Sequence, residues 1–112
     1  MIRQTKELVV IENSHGGVGS IEIHKKITKE DLVDGLYLFA KVVIKPYSTI
    51  GYHEHKDDAE AYYILQGTGV FLNHNKEQVP VKGGDLCLIK KGQSHGLENN
   101  NDNELEMIAI VY

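Results

Sequence analysis

The sequence has no tryptophan, two prolines and a single cysteine among its 112 residues. A lone thiol excludes an intrachain disulfide framework, so packing and hydrogen bonds must hold the fold. Cys87 lies in the apolar run Leu86-Cys87-Leu88-Ile89, which predicts a buried core thiol. Long apolar runs are missing too. Residues 8–11, near the N-terminus, are too few for a signal-peptide core and far too few for a membrane span. There is no basic excess either: 12 Lys and Arg stand against 16 Asp and Glu, for a net charge of −4. The pairs Lys25-Lys26 and Lys90-Lys91 read as solvated turn residues, and no stripe of positive charge argues for nucleic acid as a partner. These absences lead to the expectation of a soluble cytoplasmic protein with one domain over 1–112.

What is present is a series of short β-patterned segments separated by turn residues. Residues 8–11 and 18–24 read as strands joined by the cluster Asn13-Ser14-His15-Gly16-Gly17. Thr28-Lys29-Glu30-Asp31-Leu32 carries a Thr-x-x-Asp start signal and predicts one short helical turn, ended by Gly35. In 36–45, Leu36, Leu38, Ala40, Val42 and Ile44 share one parity and therefore one core face. Tyr37, Phe39 and Val43 are apolar on the other parity, which suits a strand covered on both sides. Pro46 closes that strand because it has no N–H for the ladder. Further strands are expected at 61–65, 70–73, 78–82, 85–89 and 105–112. Such short, regularly spaced strands indicate an all-β sandwich or barrel, and periodicity alone does not choose between them.

Six histidines in so short a chain direct attention to metal-ligand spacing. In His53-Glu54-His55, residues i and i+2 of an extended strand point to the same side, so both imidazoles can reach one ion. Glu60 opens an apolar strand and shares its parity with Tyr62 and Ile64, a costly place for a carboxylate unless it is paired or bound to a cation. The bland alternative puts Glu60 at an exposed strand end beside Asp57 and Asp58. His95 follows a glycine turn and, taken alone, is a loop histidine. His15 and His74 lie in turns and His24 near a strand end, so all three read as surface residues.

Taken together, these positions resemble the two motifs of the cupin superfamily. His53-x-His55 is followed by four residues, Glu60, six residues and Gly67. Further on, Gly84, Gly92, His95 and Asn99 fall on the spacings of the second motif. Two positions depart from the pattern: Tyr47 stands where the first motif opens with glycine, and Lys90 where the second has proline. The motif core covers roughly 46–99. The resemblance implies a double-stranded β-helix, a jelly-roll barrel whose sheets converge on a central site. It also implies that His53, His55, Glu60 and His95 bind one divalent metal ion. Three imidazoles and a carboxylate suit manganese, iron, nickel or zinc, and four protein ligands in an octahedral site leave two positions open.

The expected partner is a small molecule: an organic, keto or sugar acid that chelates the metal. Two functional classes follow. One is an oxygenase, decarboxylase or isomerase, with Glu60 and Tyr62 as conceivable proton carriers. The other is a small-molecule or metal sensor without turnover. The segments Gly16-Gly17-x-Gly19 and Gly51-Tyr52-His53-x-His55 are similar to those of small bacterial cupins related to oxalate-decarboxylase-like proteins. A homodimer is expected, with the N-terminal strands at 7–25 in its interface, because so small a barrel has few ways to cover its sheet edges.

Overall fold

The alternation of apolar and polar residues produces ten strands and no α-helix in the computed structural model, which describes residues 1–112. Strands β1 (Glu7–Glu12), β2 (Ser20–Ile27), β3 (Leu38–Ile44), β5 (Glu60–Gln66), β8 (Leu86–Ile89) and β10 (Leu105–Val111) form one antiparallel sheet, in the order β1-β2-β3-β10-β5-β8. Strands β4 (Thr49–Glu54), β6 (Thr68–Leu72), β7 (Gln78–Lys82) and β9 (Ser94–Glu98) form a second, in the order β4-β9-β6-β7. The core lies between them. Ala40, Val42 and Ile44 from β3, Ile64 from β5 and Met107 from β10 pack with Ile50, Phe71, Val81 and Leu97 of the smaller sheet. Each large aliphatic or aromatic side chain so buried contributes about 1.5–3 kcal/mol.

Strand 36–45 behaves largely as its parity predicts. Ala40, Val42 and Ile44 face the core, and Val43 is buried on the opposite face, although Leu36 and Tyr37 lie outside the strand. The expected helical turn is a 3₁₀ turn over Lys29–Asp31. Thr28 N donates to Asp31 Oδ2 at 2.9 Å, and Arg3 pairs with the same carboxylate. Arg3, then the Thr28 N–H, hold the Asp31 carboxyl below its ordinary range. Gly35 does not end this turn. Leu32 ends it with a left-handed backbone (φ 54°), its N–H donating to Lys29 O. Cys87 is buried as expected, and burial pushes its thiol up to about 11, which leaves it a poor nucleophile.

The pattern did not reveal β4 and β9, the strands that carry His53 and His95. Both are short, glycine-containing and polar, so neither shows a run of β-formers. A bulge also breaks the alternation of β4. Ile50 pairs with Leu97 and His53 with His95, so two residues, Gly51 and Tyr52, oppose Gly96 alone.

The two motif departures keep the local geometry. Tyr47 adopts a left-handed backbone (φ 56°), the conformation glycine adopts most easily, and its hydroxyl reaches Asp102. Lys90 uses the N–H that proline would lack, donating to Gln93 Oε1 at 2.9 Å. The motif's asparagine ties the barrel end together. Asn99 is fully buried, and its amide nitrogen lies 3.1 Å from both Ile44 O and Lys45 O and 2.8 Å from Asn103 O. Asn99→Ala leaves these carbonyls without their donor, and a loss of about 3 kcal/mol is expected as a lower urea midpoint with an unchanged slope.

Candidate metal centre

His95 lies two residues from Leu97 on β9, so normal strand alternation turns both inward. His53 is three residues from Ile50, and an unbroken ladder would point it away from the core. The extra residue at Gly51-Tyr52 reverses that, bringing the His53 and His95 ring centroids to 4.6 Å. His55 follows β4 and extends its pairing, its N–H donating to Gln93 O at 2.9 Å. Glu60 enters from the other sheet, at the head of β5, with Tyr62 and Ile64 facing inward behind it. Glu60 is not at an exposed end: only 6% of it is accessible. His95 is no loop residue either; it is fully buried against Tyr62 and Phe71.

These four side chains meet. One donor atom from each of His53, His55, Glu60 and His95 falls in a group no more than 4.8 Å across. His55 Nε2 lies 3.0 Å from His95 Nε2, and Glu60 Oε1 is 3.1 Å and 3.2 Å from those two nitrogens. Two donors about 2.1 Å from one ion and at right angles around it stand about 3.0 Å apart. The spacing therefore fits adjacent ligands of a single divalent ion.

The outer ring nitrogens orient the inner ones. His53 Nδ1 is 2.7 Å from Gly51 O and His55 Nδ1 is 2.7 Å from Asp58 Oδ1. With those protons on Nδ1, each Nε2 presents a lone pair, the arrangement metal-ligating histidines use. Burial lowers His53 to about 4, so its ring is neutral at pH 7. His95 Nδ1 is buried without a hydrogen-bond partner, which leaves Nε2 as that ring's one polar outlet. Asp58, which the sequence grouped with surface carboxylates, thus holds a candidate ligand in place.

His53, His55 and Glu60 open into a cavity of about 220 Å³ between the sheets, walled by apolar residues such as Ile23, Leu38, Val42 and Met107. No Lys or Arg lines it. Tyr62 does, and burial followed by the Glu60 charge raises its phenol well above the ordinary value, so it stays protonated.

His15 requires a correction. It is exposed and lies in a turn, as expected, but one face of its ring stacks on His53 at 3.6 Å and 5°, and it lines the cavity mouth with Ser14. His24 pairs with Glu22 on β2 of the larger sheet, and exposed His74 accepts from Ser94 N at 3.0 Å. Neither joins the site.

The model of the cupin domain matches residues 40–111. The chain belongs to the cupin family. An oxalate-binding protein of Thermotoga maritima is 40% identical over 101 residues, covering 90% of this chain and 83% of that protein. A crystal structure from Thermotoga maritima, of a predicted oxalate decarboxylase, shares 37% identity at a TM-score of 0.91, covering 99% and 97% of the two chains. The polyketide cyclase of Streptomyces resistomycificus has the same fold at a TM-score of 0.78 but only 16% identity, with 99% of this chain and 79% of that one covered. The double-stranded β-helix of this cupin is thus the expected one.

Close approach of two glycines seats the 3₁₀ turn Ser14–Gly16 on β4. A Cβ on Gly51 would stand 2.1 Å from His15 O, and one on Gly17 2.5 Å from Thr49 O. Gly51→Ala must therefore push the turn off the strand. The expected result is a loss of about 2 kcal/mol in thermal unfolding, as for other overpacked sites.

Proposed function

We propose that this cupin holds one divalent metal ion on His53, His55, Glu60 and His95 and binds a small carboxylate there, of the oxalate type. The convergence of two imidazole nitrogens and a carboxylate oxygen within 3.0–3.2 Å carries the reading. Without a proton or cation among them, those lone pairs would face one another in a site removed from water. Manganese, iron, nickel and zinc all suit this donor set. A bound ion supplies Lewis acidity and a template for a chelating carboxylate.

The chain's own residues do the rest. Asp58 and the Gly51 carbonyl fix the tautomers of His55 and His53. The apolar walls restrict water and strengthen polar contacts inside the cavity. Tyr62 keeps its proton and can donate a hydrogen bond to a bound carboxylate; the same open site extends the reading to decarboxylase or isomerase chemistry. Elemental analysis of protein purified without a metal-affinity tag tests the core of it. About one equivalent of metal is expected in the native chain and a near-complete loss in the His53→Ala, His55→Ala double variant. Substoichiometric metal that the double variant leaves unchanged refutes the site.

Homodimerisation is part of the same proposal. Both outer strands of the larger sheet expose apolar side chains, Leu8 and Val10 on β1 and Leu86 and Leu88 on β8. Such edges favour pairing or covering by another chain. Sedimentation at micromolar concentration should give a dimer, and a monomer there refutes it.

A further inference from the structure

Beside the donor cluster, the cavity mouth carries two polar side chains that the metal reading does not use. Ser14 is only 5% accessible as a residue and lines the cavity, and its hydroxyl, which is paired to no protein group, is open to solvent-sized access. His15 lines the same mouth, stacked on His53, and its ring nitrogens are likewise unpaired within the protein. A hydroxyl and an imidazole that line a cavity with no partner in the protein are free to donate to a polar group bound there.

The backbone holds these two residues in an unusual way. Asn13 and His15 both adopt left-handed conformations, φ 52° and 50°, in a turn only three residues long. Gly16 N bonds Asn13 O and Gly17 N bonds Ser14 O. Val18 N donates to Thr49 Oγ1 at 2.8 Å, and Thr49 N donates to Val18 O at 2.8 Å. The turn is thereby clamped to β4, the strand that carries His53. Such strain persists only where the surroundings enforce it, and it is common at ligand clamps.

We infer that the Ser14-His15 turn is the recognition element for the bound acid, the Ser14 hydroxyl and a His15 ring N–H donating to the carboxylate oxygens that face away from the metal. The chemistry of the cavity supports this assignment. With no Lys or Arg in the lining, a dianionic ligand must find neutral donors for its outer oxygens. Tyr62, Ser14 and His15 supply them, and only the last two sit at the mouth. The substrate class narrows accordingly, to short dicarboxylates and 2-keto acids whose two ends are within reach of the ion and the turn together. The inference rests on the metal-and-carboxylate reading.

Calorimetric titration of oxalate into Mn²⁺-loaded protein tests it, alongside metal content and melting temperature for each variant. Ser14→Ala and His15→Phe should keep their metal and fold while weakening oxalate at least tenfold, the loss expected for a hydrogen bond to a charged group. His15→Phe retains a ring to stack on His53, whereas His15→Gln retains an N–H donor. Rescue of affinity by His15→Gln relative to His15→Phe supports the donor role. Unchanged oxalate affinity in both Ser14→Ala and His15→Phe overturns the inference and leaves the metal reading standing. Loss of metal in either variant also overturns it, because the turn then supports the ligands instead of reading the acid. A native chain that takes up no Mn²⁺, or that takes it up and ignores oxalate, overturns the underlying reading and this inference with it.

Discussion

A single extra residue in β4 decides whether this fold has a site at all. Ile50 must face inward to pack on Leu97, and strand alternation would then send His53 outward. The bulge at Gly51-Tyr52 allows both to face the core. It has local costs, since one extra residue leaves the ladder and the chain bends. Gly96 sits opposite, where an added Cβ would press on Ile50 O and Tyr52 N at 3.2 and 3.3 Å. The same bulge frees the Gly51 carbonyl to hold His53 Nδ1. One irregularity therefore turns the histidine, fixes its tautomer and leaves room for the Ser14–Gly16 turn.

The second constraint is that the donors come from opposite sheets. The histidines are on or beside β4 and β9, whereas Glu60 heads β5 of the larger sheet. A buried carboxylate is expensive in a low-dielectric interior unless a proton or cation pairs with it. In the proposed reading, a cation satisfies all of these groups at once and joins the sheets at the end where the cavity opens. An ion that binds only the folded chain adds to its stability by mass action. Site and fold then support each other, as the complete burial of His95 among Tyr62 and Phe71 requires.

Much of this was legible in the residues. The strands with clean alternation, β3 and β5 above all, follow their parity, and Glu60, Tyr62 and Ile64 do share the inward face. The four donors were legible only through spacing matched to a family pattern. No local signal shows that residues 53 and 95 are paired neighbours, and the strands carrying them lack the composition of strands. His15 was misread for a related reason. A turn flanked by glycines looks like surface, and only the close approach of Gly17 to β4 and of Gly51 to the turn reveals that it lies over the site. Asp58 was hidden too, because a carboxylate three residues after a histidine is common on any loop.

The cavity sets its own limits on what can bind. Its walls are mostly Ile, Leu, Val and Met, so a large polyol would bury hydroxyls with no partners. The polar groups lie together, the donor set with Tyr62 and the Ser14-His15 turn stacked on His53. In the proposed reading, a ligand matched to that lining is small, anionic and poor in hydroxyls. On that reading a short dicarboxylate suits this lining better than a sugar acid, whose middle carbons bear hydroxyls that the aliphatic wall would leave unpaired. Among the organic, keto and sugar acids that the open coordination positions suit, the proposed reading therefore favours the smaller ones.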